Sequence, residues 1–377
     1  MVNLSRRKWL QLAGMSASGL AAGIPLTPES LSATRAADAP SEAGMIRLSS
    51  NENPYGPSQQ ARTAMQNAFE EACRYPYAGA TKDLTRIIAE KEGVSEDHVF
   101  VASGSGEILA MTGMAYGLSG GEMVAADPTY QGLVRYAEKV GAYIHRVPLN
   151  DNMVHDLGSM ESRITPAVRL VFVCNPNNPT ATICEPAALK DFCIDTAKKS
   201  LVFLDEAYIE LLANPQEHTM VDLVRQGHNV ILSRTFSKIH GLAGMRIGYA
   251  IARPDIIKRI SNFKMGMPNV LGLRAAIASY QDESFQAFSR EKMAAGRQLV
   301  YKALDQVEYK YTPSYTSFVF FHTGMPIQDF QSKMKERSIL IGRPFPPFLD
   351  WARVSIGKEE EMHLFADALQ DLVSTGS

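Results

Sequence analysis

Short apolar runs alternate with helix-forming stretches between about residue 97 and residue 253, and this alternation limits the fold more than any other feature. Seven runs are predicted strands, at 98–102, 122–126, 143–147, 170–174, 201–204, 229–232 and 247–251. Helical periodicity fills several of the gaps between them, at 106–118, 131–141 and 186–199. Apolar strands that alternate with helices are typical of a mostly parallel sheet covered on both faces. We therefore predict an α/β fold whose large domain is a mostly parallel, seven-stranded sheet sandwiched by helices.

The pattern changes after Pro254. Helical periodicity dominates at 254–264, 270–281 and 283–306, and is followed by predicted strands at 317–321, 339–341 and 352–356 and a last helix at 358–373. This order predicts a smaller α+β domain. We predict the following division: an export signal and flexible segment at 1–40, an N-terminal part of the small domain at 41–74, the large domain at 75–265, and the C-terminal small domain at 266–377.

The N-terminus has the three-part pattern of an export signal. Arg6 and Arg7 precede Trp9, an uncharged stretch rich in Gly and Ala follows at 12–26, and small residues surround Arg35. Paired arginines before such a stretch resemble a twin-arginine signal, which exports folded proteins. The stretch is shorter than the roughly 20 apolar residues that a transmembrane helix needs. We predict a periplasmic or otherwise exported protein; a helix that stays attached, on a cytoplasmic protein, is the alternative.

Composition excludes a disordered chain, a collagen and a membrane-helix bundle. Hydrophobic residues make up 45% of the chain and charged residues 21%, as in ordinary soluble enzymes. Lys and Arg number 38 and Asp and Glu 40, without a basic run, so neither a nucleic-acid partner nor a membrane partner is predicted. Four cysteines lack the CxxC spacing of metal sites. We predict free thiols, mostly buried, with a disulfide as the alternative, and no metal.

One lysine lies between hydroxyl residues at the end of a predicted strand. Thr235 and Ser237 precede Lys238, and Arg246 follows eight positions after the lysine. Hydroxyl groups and a guanidinium suit a phosphate, because arginine binds its oxygens in pairs. The lysine can then form a Schiff base with an aldehyde held by that phosphate. A surface lysine in a polar loop is the alternative for Lys238 alone, but it does not explain these neighbours.

An acid and an amide follow two other apolar runs. Asp205 directly follows the run 201–204. A carboxylate there can keep the nitrogen of a pyridine ring protonated, and Tyr208 can donate a hydrogen bond to a phenolate on that ring. Asn178 lies in the loop 174–180, which two prolines stiffen. The alternatives are a helix cap for Asp205 and an ordinary turn residue for Asn178.

Two more segments suit a flat, anionic ligand. Ser105 and Gly106 join a predicted strand to a helix, and backbone amides at a helix N-terminus can bind an anion. This loop has neither the GxGxxG pattern nor the lysine of a P-loop, so it is weak evidence by itself and disfavours a nicotinamide dehydrogenase. Tyr130 follows another strand, and its ring can stack on a flat cofactor.

Together these segments resemble the fold-type I pyridoxal-phosphate aminotransferases, and most of all the histidinol-phosphate aminotransferase group. The resemblance runs from about Ile46 to the C-terminus. The segments that carry it are Ser-Asn-Glu-Asn-Pro-Tyr-Gly-Pro at 50–57, Asn-Asn-Pro-Thr at 177–180, Asp205 with Tyr208, Ser-Lys at 237–238, Gly-Leu-Ala-Gly-Met-Arg at 241–246, and Ala-Arg-Val-Ser-Ile-Gly at 352–357. Their order and spacing agree with this family, which implies pyridoxal 5′-phosphate as the cofactor and the type I fold.

The resemblance implies three catalytic residues. Lys238 would form the Schiff base and move the proton, and Asp205 would pair with the pyridine nitrogen. Tyr208 would bind the ring phenolate together with Asn178, while Tyr130 would stack on the ring.

The same resemblance implies the remaining contacts. The phosphate would be held by Ser105, Gly106, Thr235, Ser237 and Arg246. Tyr75, in an Arg-Tyr-Pro segment, would reach the phosphate in the neighbouring subunit, which implies a homodimer with shared active sites. The substrate would contact Tyr55, Asn178, Arg343 and Arg353, of which Arg353 would bind the anionic group.

The expected function is an aminotransferase that acts on an amino donor and a 2-oxo acid such as 2-oxoglutarate. Gly106 and Ala181 depart from the family, which usually has an acidic residue and a glycine at these positions. The export signal is the larger departure, because histidine biosynthesis is cytoplasmic. The donor is therefore left open between histidinol phosphate and an aromatic or other amino acid. Decarboxylation of an amino-acid phosphate on the same fold and a non-catalytic relative are the alternatives.

Overall fold

The structure is a computed structural model that describes residues 44–75 and 79–375. The predicted export signal lies outside the described residues. Numbered along the chain, the strands are β1 (Ile46–Leu48), β2 (Val99–Ala102), β3 (Glu122–Asp127), β4 (Tyr143–Pro148), β5 (Val168–Cys174), β6 (Leu201–Asp205), β7 (Val230–Thr235), β8 (Gly248–Ala252), β9 (Phe318–His322), β10 (Ile339–Ile341) and β11 (Trp351–Ser355).

The helices surround the main sheet and fill the C-terminal part of the chain. They are α1 (Gln59–Asn67), α2 (Ala80–Glu92), α3 (Ser105–Gly117), α4 (Gly132–Lys139), α5 (Leu157–Glu161), α6 (Pro186–Ala197), α7 (Pro215–His218), α8 (Val221–Arg225), α9 (Pro254–Ser261), α10 (Val270–Gln281), α11 (Glu283–Gln306), α12 (Ile327–Glu336) and α13 (Glu359–Thr375). Single turns of 3₁₀ helix occur at Phe69–Glu71, Glu96–His98, Ile209–Leu211 and Ala243–Met245.

The main sheet has seven strands in the order β2-β8-β7-β6-β5-β3-β4. Only β8 runs antiparallel to its neighbours β2 and β7, and the other pairs are parallel. All five residues of β6 are buried, as are all six of β7, because helices cover both faces of the sheet centre. The predicted mostly parallel α/β fold is confirmed.

The register of the central strands aligns the ends of three of them. Cys174 at the end of β5 lies opposite Asp205 at the end of β6, and Asp205 lies opposite Ser233 of β7. Parallel strands end at the same edge of a sheet, and the loops that follow them form the usual ligand crevice of open α/β folds. The polar segments predicted from the sequence therefore converge at this edge.

Two smaller sheets and a second apolar core lie outside the main sheet. β9 pairs with β11 in antiparallel fashion, and β1 pairs with β10 in parallel. Their apolar side chains pack with those of α11, α12 and α13 in one cluster, which also includes Tyr208 and Ile239 beside the lysine segment. The pairing of β1 with β10 ties the N-terminal residues to the C-terminal part of the chain. The exact domain boundaries stay a prediction.

Local signals explain where several helices begin and end. The Asn269 side chain accepts a hydrogen bond from the Gly272 amide at the start of α10, and Asp282 accepts one from the Phe285 amide at the start of α11. The helix predicted at 254–264 ends earlier, at Ser261. Gly266 and Pro268 follow, and both residue types disfavour helical continuation.

All four cysteines are free thiols, as predicted. Cys174, Cys184 and Cys193 are buried, whereas Cys73 is exposed. Burial raises the pKa of the Cys184 thiol to about 12, which keeps it protonated and unreactive. Within residues 44–75 and 79–375, no helix combines the length and apolar character needed to cross a membrane.

A buried arginine joins the sheet to α2 and to the loop after β6. Arg234 of β7 donates from Nη1 to Glu92 Oε1 at 2.7 Å, from Nε to Glu206 Oε2 at 2.9 Å, and from Nη2 to Thr219 Oγ1 at 2.7 Å. The three charged side chains are at most 5% exposed. Removing the cation would leave two carboxylates buried without their counter-ion, which is strongly unfavourable.

We expect Arg234→Met to lower the free energy of unfolding by about 3–5 kcal/mol, because it leaves Glu92 and Glu206 uncompensated. Arg253→Met is the control, since its pair with Asp255 is exposed and such pairs contribute less than about 1 kcal/mol. Urea unfolding of both variants measures the difference. Equal effects of the two substitutions would contradict a special role for the buried arginine.

Candidate active site

A cavity of about 480 Å³ lies at the carboxyl ends of β5, β6 and β7. All but two of the predicted site residues line it. These lining residues are Ser105, Gly106, Tyr130, Asn178, Asp205, Tyr208, Thr235, Ser237, Lys238, Arg246, Arg343 and Arg353. The cavity therefore brings together predicted residues that are up to 248 positions apart in the chain, counting from Ser105 to Arg353.

Lys238 lies inside this cavity with a buried amine. Its Nζ donates a hydrogen bond to the backbone oxygen of Asn51 at 2.9 Å and lies 5.4 Å from the centroid of the Tyr208 ring. Burial, with a further contribution from the positive charge of Arg353, lowers the pKa of Lys238 to about 8. A substantial fraction of the amine is then neutral near pH 8, and the neutral form is the nucleophile and the base.

Asp205 ends β6 in a buried position, 3% exposed. Its Oδ1 has no hydrogen-bond partner among the described residues. Burial raises the pKa of Asp205 to about 7, although the hydrogen bond from the Ala207 amide and the charge of Lys238 act in the opposite direction. A protonated ring nitrogen would give this oxygen both a hydrogen-bond donor and a positive charge, which fits the pyridine ring of pyridoxal phosphate.

The hydroxyl of Tyr208 and the amide of Asn178 are held by different neighbours. Asn51 Nδ2 donates to the Tyr208 hydroxyl at 3.1 Å, which leaves the phenolic hydrogen available for another acceptor. Burial raises the pKa of Tyr208 well above its usual value, so the phenol stays protonated. Arg353 Nη1 donates to Asn178 Oδ1 at 2.8 Å. Both side chains are thus oriented before any ligand arrives.

The loop that carries Asn178 is stiffened by a buried amide. Asn177 accepts a hydrogen bond from Thr129 Oγ1 at 2.8 Å and donates to the Pro128 oxygen at 3.2 Å and to Thr180 Oγ1 at 2.8 Å. Ala181 has a φ of 62°, in the left-handed region that favours glycine. A glycine, which the resemblance leads us to expect at position 181, would adopt this φ without strain.

Five residues form a group that we call the phosphate cradle: Ser105, Gly106, Thr235, Ser237 and Arg246. Ser237 Oγ accepts hydrogen bonds from Thr235 Oγ1 at 3.0 Å and from Arg246 Nη1 at 3.3 Å. Ser105 and Gly106 begin α3, where the first backbone amides lack helical partners. Hydroxyls, a guanidinium and a helix N-terminus together suit a phosphate dianion.

Glycines give the cradle its shape. Gly104 has a φ of 88°, and a Cβ on it would lie 2.6 Å from Arg246 Nη2. A Cβ on Gly248 would lie 2.3 Å from the Ser105 nitrogen. The positive φ of Gly104 and the close backbone contact at Gly248 each favour glycine, so the backbone of the cradle needs glycine at these two positions. The residues present therefore fit the phosphate as well as the ring of pyridoxal phosphate.

The two remaining predicted residues lie away from the cavity. Tyr55 packs edge-on against Phe288, with ring centroids 5.3 Å apart, and lines a separate cavity with Lys292 and Glu359. Tyr75 is 73% exposed and directly precedes residues outside the described range. The structure does not place either residue at the site of its own chain, and their assigned roles stay predictions.

Asn51 is the residue that the sequence analysis missed. Its backbone oxygen accepts a hydrogen bond from Lys238, and its side chain donates one to Tyr208. Its backbone N–H donates to Ser355 Oγ at 2.7 Å. It lies within the segment 50–57 that carries part of the family resemblance, but no regular strand or helix there indicated where it points. Its φ of 55° belongs to an irregular turn, which periodicity does not predict.

The comparisons with known proteins agree with this geometry. The family model for aminotransferase class I and II matches residues 43–369. The chain belongs to this family. A histidinol-phosphate aminotransferase of Moorella thermoacetica is 36% identical over 334 residues, which cover 88% of this chain and 86% of that protein.

Solved structures show the same fold. A putative histidinol-phosphate aminotransferase from Erwinia carotovora atroseptica is 32% identical with a TM-score of 0.85, covering 90% of this chain and 99% of that one. The histidinol-phosphate aminotransferase of Sinorhizobium meliloti, solved in complex with pyridoxal-5′-phosphate, has a TM-score of 0.82 at 24% identity and covers 95% and 97% of the two chains. The present chain likewise uses pyridoxal 5′-phosphate as its cofactor. Its Asp205, Lys238 and phosphate cradle fit this molecule.

The chain supplies proton transfer, orientation and charge. When bound, pyridoxal phosphate supplies an aldehyde and an electron-withdrawing ring. Lys238 Nζ, when neutral, would accept the proton of the substrate α-carbon and later return it. Asp205 would keep a positive charge on the ring nitrogen, and Tyr208 and Asn178 would hold the ring from the side of its phenolate. Within the described residues, no cluster of His, Cys, Asp and Glu could hold a metal ion.

We expect the reaction of the cofactor-free protein with pyridoxal phosphate to become faster as the pH rises through about 8, since only the neutral Lys238 amine attacks the aldehyde. Absorbance at a series of pH values measures this rate. Lys238→Ala is the control and should form no covalent adduct at any pH. A rate that does not change between pH 6 and pH 10 would contradict the buried-amine interpretation.

Proposed function

We propose that this aminotransferase moves the amino group of histidinol phosphate to 2-oxoglutarate. The observation that carries the proposal is the guanidinium of Arg353, which is buried in the same cavity as Lys238. Its hydrogen bonds go to the Asn178 amide and the Ser49 backbone oxygen, and its Nε has no partner among the described residues. A buried cation that pairs with neutral groups favours a ligand that brings an anion.

Arg343 adds a second cation to the same wall of the cavity. The guanidinium carbons of Arg343 and Arg353 lie 4.3 Å and 4.8 Å from the centroid of the Phe345 ring. Burial, with a further contribution from the positive charge of Arg343, lowers the pKa of Arg353 to about 10. Two guanidiniums that line one cavity can share one phosphate dianion or bind the two carboxylates of 2-oxoglutarate. This pair therefore suits both proposed substrates, and the names of the relatives support the same donor.

An aromatic or other amino acid is the second candidate donor. The export-like N-terminus favours it, because a protein outside the cytoplasm would not meet a cytoplasmic biosynthetic intermediate. The ring of Tyr130, which lines the cavity and is 40% exposed, offers a face for an aromatic side chain. Such a donor would need only one guanidinium, for its carboxylate.

Proton removal is favoured over the two alternatives, decarboxylation and loss of catalysis. Lys238 Nζ lies 5.4 Å from the centroid of the Tyr208 ring, and its lowered pKa suits the removal of a proton. Asp205 and Lys238 both line the cavity, whereas a non-catalytic relative would have no need to keep this pair.

We expect histidinol phosphate, but not phenylalanine, to abolish the visible absorption band of the lysine-bound cofactor, and 2-oxoglutarate to restore it. Arg343→Gln should raise KM for histidinol phosphate about tenfold or more, because it removes one charge-assisted contact. The same substitution should leave any phenylalanine reaction nearly unchanged. A response to phenylalanine alone would favour the second donor, and release of CO2 from an amino-acid phosphate without a keto product would indicate a decarboxylase.

We also propose that the chain acts as an exported homodimer. The proposal is supported by the Arg6-Arg7 segment of the sequence and by two aromatic side chains, Phe69 and Tyr75, which are 61% and 73% exposed. Exposed aromatic side chains of this size favour contact with a second protein surface. The resemblance assigns Tyr75 to the phosphate of the second copy.

We expect the protein to be present in the periplasmic fraction. After purification from that fraction, light scattering should give the mass of two chains. Replacement of Arg6 and Arg7 by lysine should retain the protein in the cytoplasm, because the twin-arginine pathway reads this pair. Replacement of Lys198 and Lys199 by arginine is the control for a change of basic residues elsewhere. Native protein found only in the cytoplasm would refute export, and a mass of one chain would refute the dimer.

A further inference from the structure

Glu107 lies beside the phosphate cradle without belonging to it. It is in the first turn of α3, two positions after Ser105, and is only 9% exposed. An acidic side chain this close to a phosphate site would repel the ligand if it pointed at it. In this chain the carboxylate instead accepts hydrogen bonds from backbone amides outside the cradle, so its charge is directed away from the cradle.

Both carboxylate oxygens of Glu107 accept hydrogen bonds. Oε2 accepts from the Ser103 amide at 2.7 Å, and Oε1 accepts from the Met265 and Gly266 amides, each at 3.1 Å. Hydrogen bonds to a charged acceptor are stronger than neutral ones. The loop before α3 and the segment after α9 are thus bound to one side chain.

The first of these bonds shapes the cradle directly. Ser103 precedes Gly104, whose left-handed backbone leads into the amides of Ser105 and Gly106. The Ser103 amide donates to Glu107 and the Gly104 amide donates to the Ala102 oxygen, whereas the amides of Ser105 and Gly106 stay available for a ligand and keep a defined direction. The carboxylate also satisfies an amide that would otherwise compete for the phosphate.

The second pair of bonds connects the cradle to an irregular segment. Residues 264–269 form no regular element and have only these two side-chain bonds to α3. The segment packs closely on the loop, since a Cβ on Gly266 would lie 3.8 Å from Ser103 Oγ. The side chains of Met265 and Met267 point outward and are 60% and 40% exposed. A change in this segment would therefore reach the cradle through Glu107.

We propose that Glu107 is a positioning residue that holds the phosphate cradle in its binding geometry and couples it to the segment at Met265 and Gly266. It acts on the cofactor phosphate through the backbone of the loop and does not touch the reacting atoms. The proposal rests on the cofactor, and does not depend on which amino donor is correct.

The test compares two forms of the cofactor on the cofactor-free full-length protein. We expect Glu107→Ala to weaken binding of pyridoxal phosphate about 10- to 100-fold, the range for loss of hydrogen bonds to a charged group. Binding of pyridoxal, which lacks the phosphate, should change less than threefold, because Lys238 and Asp205 are unaffected. Glu107→Gln should give a smaller loss of the same kind, since an amide keeps only one acceptor oxygen.

A matched control and a second measurement keep the proposal open to refutation. Glu122→Gln replaces a half-buried glutamate that pairs with His145 at the far end of the sheet, and should alter neither affinity. In the unmodified protein, pyridoxal phosphate but not pyridoxal should slow hydrogen exchange at the Met265 and Gly266 amides. Equal weakening of both ligands by Glu107→Ala, no weakening of either, or no change in exchange at these amides would overturn the proposal.

Discussion

The ion-paired side chain of Arg234 is the interaction on which the arrangement of the site depends. It joins the end of β7 to Glu206, which directly follows Asp205, and to Glu92 at the end of α2. Thr235 and Lys238 follow the arginine within four residues. The strand ends that present the acid, the hydroxyls and the lysine are therefore fixed to one another by buried charge as well as by the sheet hydrogen bonds.

Burial determines the chemistry of the three charged groups in the cavity. It favours a neutral amine on Lys238, raises the pKa of Asp205, and lowers that of Arg353. Because burial disfavours the charged form of each group, a bound ligand of the complementary charge stabilises that form. The polar surroundings of the phosphate cradle offer the opposite environment, with hydroxyls, amides and a guanidinium ready for an anion. One cavity can therefore hold a ligand with a cationic ring nitrogen at one end and a phosphate at the other.

Prediction from the sequence succeeded where a residue's position follows from its neighbours in the chain. Asp205 and Thr235 end apolar strands and Lys238 follows one, and the ends of parallel strands meet at one edge of a sheet. Prediction was less complete where the position depends on distant segments. Asn51 comes from an irregular turn and binds Lys238, which is 187 residues away. Tyr55 was assigned to the substrate by resemblance, yet in its own chain it packs on Phe288.

The sequence alone determined the class of fold and the cofactor chemistry, because strand periodicity, glycine positions and the spacing of Lys238 from Arg246 are local properties of the chain. Only the tertiary structure showed that Arg353 meets Asn178, that Asn51 lies between Lys238 and Tyr208, and that Glu107 joins the cradle to residues 265–266. These contacts link residues that are between 157 and 187 positions apart, so no local pattern encodes them. They arise when the strands pack, since packing alone decides which distant polar groups must satisfy one another.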